Sequence, residues 1–63
     1  MSGFEFDCTL VRETDSVILV LDHASEAEVW IPRSAVVSLD VDGETKVGTI
    51  EVEEWVAAKK GLL

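Results

Sequence analysis

From Phe4 to Leu10 the chain reads FEFDCTL, with Phe4, Phe6, Cys8 and Leu10 at one parity and Glu5, Asp7 and Thr9 at the other. Apolar and polar residues that alternate in this way suit a strand with one face buried and one in water, and they do not suit a helix. The segment Arg12 to Ser16 is a polar turn, and the aliphatic run Val17 to Leu21 follows it as a central strand, so the first two strands form a hairpin. A second polar turn, Asp22 to Glu26, leads into Ala27-Glu28-Val29-Trp30-Ile31, which alternates again until Pro32. Proline has no N–H to give to a ladder, so the strand stops there.

Pro32-Arg33-Ser34 reads as one tight turn of 3₁₀ type, after which Ala35 to Val41 is extended with Val37, Leu39 and Val41 on one face. The pair Asp42-Gly43 predicts a short hairpin with glycine at positive φ, and the return strand runs from about Lys46 to Val52. Glu53 to Lys60 changes period. Its acids come first, its lysines last, and Gly61 follows, the charge order and C′ glycine of a short helix. Trp55 is expected to pack into the core, while Trp30, pointing outward beside Glu28, either packs under that helix or anchors a partner. The predicted fold class is α+β, with a small, strongly bent antiparallel sheet or partly open barrel of about five strands and one short C-terminal helix. Residues 1–63 form a single domain.

A chain of 63 residues buries only about 60% of the surface its unfolded form exposes, so stability depends on a dense core. Cys8 is the one cysteine, which leaves no disulfide framework and no thiolate ligand set; on the inward parity it is a small buried hydrophobe. The opening residues lack a basic region followed by a long apolar run, and no apolar stretch is long enough to span a bilayer. These features lead us to expect a cytoplasmic protein with no membrane partner. His23 stands in a polar turn with no second histidine near it, and the serines lack a nucleophile elbow, so the expectation is a protein that is not an enzyme and uses no cofactor.

Asp40-Val41-Asp42-Gly43-Glu44 invites a calcium reading. With Gly43 at the sixth position of an EF-hand loop, Asp40 and Asp42 fall on the third and fifth, but Ser38 takes the first and Thr49 the twelfth, where a bidentate glutamate belongs. The hairpin reading is preferred. Charge carries more information: thirteen acids against five lysines and arginines give a formal net charge of −8, which disfavours direct nucleic-acid binding. Residues 1–32 hold seven acids and only Arg12. Acids recur at alternate positions: Glu5 with Asp7, Glu13 with Asp15, Glu26 with Glu28, Asp40 with Asp42 and Glu44, and Glu51 with Glu53. Two strand residues advance about 6.7 Å and return to one face. Neighbouring phosphates along a DNA strand lie about 7 Å apart through space. A half-buried strand needs polar residues outward in any case, but it would ordinarily mix lysine with glutamate.

The strings Glu28-Val29-Trp30-Ile31-Pro32-Arg33-Ser34, Gly48-Thr49-Ile50-Glu51-Val52 and Trp55-Val56-Ala57-Ala58-Lys59-Lys60-Gly61-Leu62 resemble a group of very small bacteriophage and mobile-element proteins. In that group a VWIPKS strand end is followed by a WLAxxKGL helix. The resemblance implies a phage or prophage context and a bacterial host cell, and it carries no catalytic residues. Small acidic phage proteins include anti-CRISPR inhibitors, several of which imitate DNA. The function expected on this basis is inhibition by binding. Glu5, Asp7, Glu13, Asp15, Asp22, Glu26, Glu28, Asp40, Asp42 and Glu44, with Trp30 as an anchor, would meet the basic nucleic-acid-binding groove of a host defence complex such as a type I CRISPR surveillance complex. The alternative is a non-catalytic phage adaptor whose acidity is solubilising and whose Trp30 face builds a homodimer.

Overall fold

The computed structural model describes residues 3–62. Five strands, β1 (Gly3–Glu13), β2 (Val17–Asp22), β3 (Ala27–Pro32), β4 (Val36–Val41) and β5 (Val47–Glu53), form one antiparallel sheet in the order β3-β2-β1-β5-β4. A 3₁₀ turn (Arg33–Ala35) joins the two edge strands, and a helix α1 (Glu54–Lys59) follows β5. The sheet does not close. β1 is long because it serves two partners: residues 3–9 pair with β5 and residues 8–13 with β2.

The alternation from Phe4 to Leu10 does what it predicts. Cys8 and Leu10 are buried, together with Ile18 and Val20 of β2, Ile31 of β3, and Ile50 and Val52 of β5, and Phe4 and Phe6 pack against them with ring centroids 5.7 Å apart. Ala35, Val56 and Ala57 close one side of this core, so the 3₁₀ turn and α1 act as its lid. Past Lys60, Gly61 takes φ +75°. Leu62 N–H then donates to the Ala57 carbonyl at 2.8 Å and Gly61 N–H to that of Ala58 at 3.3 Å, which is a Schellman end.

Three local expectations need correction. Trp55 is 54% exposed, its indole N–H donating to Glu53 Oε1 at 2.7 Å, because a helix of six residues turns only Val56 and Ala57 toward the sheet. Val37 is exposed as well: the register between β4 and β5 shifts between Val36 and Ser38, so Val36, Leu39 and Val41 take the inward places. The β4–β5 connection is a longer loop, and positive φ falls on Lys46 (64°), not on Gly43.

The two long hairpin loops share one construction. In each an aspartate, Asp22 or Asp42, accepts from the backbone N–H two residues on, Ala24 at 3.0 Å or Glu44 at 2.7 Å. The fourth residue, Ser25 or Thr45, also bonds that carboxylate, and its hydroxyl accepts from Ala27 N–H or Val47 N–H at 3.3 Å. The fifth, Glu26 (φ 61°) or Lys46, takes the left-handed conformation and returns its N–H to the aspartate carbonyl.

Candidate functional site: the outer face of the sheet

The parity that fills the core delivers the remaining side chains to the opposite face. Across β1, β5 and β4, Glu5 lies opposite Glu51, which lies opposite Ser38; in the next row Asp7 faces Thr49 and Thr49 faces Asp40. Four carboxylates thus occupy two adjacent rows, spaced about 6.7 Å along a strand and about 4.8 Å between strands. Glu5 and Glu51 are direct cross-strand neighbours, an arrangement that costs stability rather than adding to it. Gly3 relieves part of that cost: a Cβ there would stand 2.7 Å from Glu51 Oε2, so the missing side chain gives Glu51 room beside it. No lysine or arginine stands in these rows.

The β2–β3 half of the same face has a different character. Leu19 lies between its register partners Arg12 and Trp30, and Leu21 lies between Thr9 and Glu28. Trp30 is 45% exposed, whereas Leu19 is buried although it points away from the main core. The outer face is therefore bipartite, acidic over β5, β4 and the first half of β1, and apolar with an indole over β2 and β3, where Arg12 of β1 ends the row of Leu19 and Trp30. Glu28 sits on this second half. His23, at the turn beside it, is exposed and hydrogen-bonded through Nε2 to Thr9 Oγ1 at 2.7 Å.

Of the acids singled out by spacing, Glu5, Asp7, Glu28 and Asp40 share the outer face. Glu51, which the same spacing pairs with Glu53, belongs with them, and Glu53 follows at the same parity at the end of β5, opposite Gly3. Asp22 does not join them. It is 6% exposed on the inward parity opposite Cys8, where its carboxylate is consumed by Ala24 N–H and Ser25 Oγ–H, so it serves the loop and not a partner. Glu13, at the far end of β1, is exposed but already paired with Arg33 Nη2 at 2.7 Å. The same guanidinium donates from Nε to the Thr14 carbonyl at 2.6 Å, tying the β1–β2 turn to the 3₁₀ turn. Asp15, Glu26, Asp42 and Glu44 are exposed in the connecting loops, outside the two acidic rows.

Two titrating groups are displaced from their usual ranges. Burial, and then the charges of Asp22 and Asp7, push the Cys8 thiol up, so it stays protonated. Asp42 is held below the usual carboxylate range by the N–H groups of Glu44 and then Thr45. A carboxylate favoured in its charged form by folding stabilises the fold above its unfolded pKa, about 3.9, and loses that contribution as pH falls through the lowered folded value. Asp42→Asn keeps an acceptor oxygen but cannot titrate. Thermal melts taken from pH 5 downward should therefore show a smaller acid loss of Tm in the variant than in the parent, and equal losses would deny Asp42 that role.

No protein family, curated protein or solved structure matches this chain.

Proposed function

We propose that the protein is a phage-encoded inhibitor of the anti-CRISPR type, which lays its acidic sheet face in the basic nucleic-acid groove of a host defence complex in place of DNA. The observation that carries this reading is the placing of Glu5, Asp7, Asp40 and Glu51 in two adjacent rows without a cation between them. Their spacing along the strand approximates that of successive phosphates, and an electrostatic match of this kind speeds encounter and selects the partner. The retention of two glutamates directly opposite each other supports the same reading, since solubility alone is served as well by mixed charges.

The test is plaque formation by a targeted phage on bacteria with an active type I CRISPR system. Expression of the protein should restore plaques. The triple variant Glu5→Lys, Asp7→Lys, Asp40→Lys should not, with affinity for the effector complex reduced about tenfold or more. That variant keeps Glu51, which then faces a lysine, so circular dichroism should report an unchanged fold. No rescue by the parent protein removes the inhibitor reading, and equal rescue by the variant removes the mimicry.

A further inference from the structure

β3 is an edge strand, and its backbone shows which of its polar groups are free. Arg33 N–H donates to the Ser16 carbonyl at 2.9 Å, one step beyond the Val17 and Pro32 pair. In an antiparallel ladder hydrogen-bonded and non-bonded pairs alternate. Ile31 with Ile18, Val29 with Val20, and Ala27 with Asp22 are therefore the bonded pairs, while Glu28, Trp30 and Pro32 turn their backbone groups to the open side. Val17 agrees: its N–H and C=O are both engaged by Thr14, on the side away from β3. Pro32 has no N–H to leave stranded, so its place costs nothing.

The same parity sends the side chains of Glu28 and Trp30 to the outer face, and Val29 between them toward the core. The other edge, β4, is broken by its register shift at Val37, a feature that discourages strand addition. β3 keeps unbroken register from Ala27 to Pro32. Its edge carries a carboxylate and an open indole and no cation, on a chain of net charge −8. A second copy would bring another −8 to the edge and would set Pro32 opposite a position that needs a donor.

We infer that the β3 edge receives an extended segment of a partner protein as a sixth strand, with arginine or lysine at the alternate positions beside Glu28 and Trp30 and an apolar residue between them beside Val29. The backbone of Glu28 and Trp30 supplies the hydrogen bonds, and the carboxylate and indole select the cations. The inference rests on the proposed function for the sign of the partner alone, since the edge lies apart from the acidic rows.

The probe is a short, end-blocked peptide of alternating arginine and valine, with its glutamate–valine counterpart as control, added to the ¹⁵N-labelled protein. Without peptide, the amides of Glu28 and Trp30 should exchange fast and those of Val29 and Ile31 slowly. With the arginine peptide the first two should become protected. Trp30→Ala should weaken binding about tenfold. Glu28→Pro, which removes an edge donor and leaves the ladder to β2 intact, should abolish the protection at Trp30. Failure of the arginine peptide to bind, binding without new protection at Glu28 and Trp30, or equal binding of the glutamate peptide would overturn the inference. Protection that grows with protein concentration alone would assign the edge to a second copy and overturn it too. The Glu5, Asp7, Asp40 triple variant should still take up the peptide at β3, so loss of plaque rescue and loss of edge binding are read separately.

Discussion

Gly48→Val is expected to leave the chain unfolded at room temperature, seen as loss of the sheet signal in circular dichroism and collapse of amide dispersion in NMR. A Cβ at Gly48 would run into the Asp40 carbonyl oxygen and stand 2.7 Å from Val41 Cα. Both are backbone atoms of β4, so no side-chain rotation relieves the contact, and β4 itself would have to leave β5. Overpacking costs about 1–3 kcal/mol even where side chains can adjust. A domain of this length has only about 3–9 kcal/mol of stability in total, at roughly 0.05–0.15 kcal/mol per residue. Gly48→Ala should be milder but still lower Tm by about 10 °C or more. Gly43→Ala is the control, because nothing lies within 4 Å of its Cβ position. If the two alanine variants melt together, β4 does not approach β5 as closely as described.

Ile50→Ala should cost about 2–5 kcal/mol, while Trp55→Ala should change stability by about 0.5 kcal/mol or less. Ile50 is 1% exposed in a strand with neighbours on both sides, opposite Phe6 and Leu39 on the inward face, so truncation leaves a cavity at the centre of the sheet. Trp55 is larger, yet half its surface is in water and its one hydrogen bond is to the exposed Glu53. Urea unfolding of the two variants separates the cases. A Trp55→Ala loss as large as that of Ile50→Ala would mean that the indole packs in the core after all.

Residue spacing makes most of the architecture legible, because a period of two is a direct consequence of pleating. It identifies all five strands, the inward set on β1 and the outward parity of Glu5, Asp7, Glu28 and Asp40. What it misses are departures from that period. The shift at Val37 inserts a residue that alternation then assigns to the wrong face, and the one between Leu10 and Arg12 carries β1 on to Glu13, into residues that read as a turn. Asp22 looks like any turn acid until its two hydrogen bonds are seen; the signal that could have found it is an aspartate followed three residues later by serine or threonine, which occurs at Asp22 and Ser25 and again at Asp42 and Thr45. Positive φ at Glu26 and Lys46 is invisible from residue type, since the loops hold them there by hydrogen bonds and Gly43 draws attention away. Alternate spacing picks out Glu51 together with Glu53, but its place between Glu5 and Ser38 follows only from the strand order, since both are far off in sequence.

The double duty of β1 also has a kinetic side. The ladders β1–β2, β2–β3 and β4–β5 each join strands that follow one another, and they can form early at small entropic cost. The β1–β5 ladder brings together opposite ends of the fold across everything between them. Closing it is the slow search, and it assembles the acidic rows, since Glu5 and Asp7 meet Glu51 and Asp40 only then. The mutual repulsion of those carboxylates therefore falls on the folding barrier, and added salt should quicken folding more than it slows unfolding.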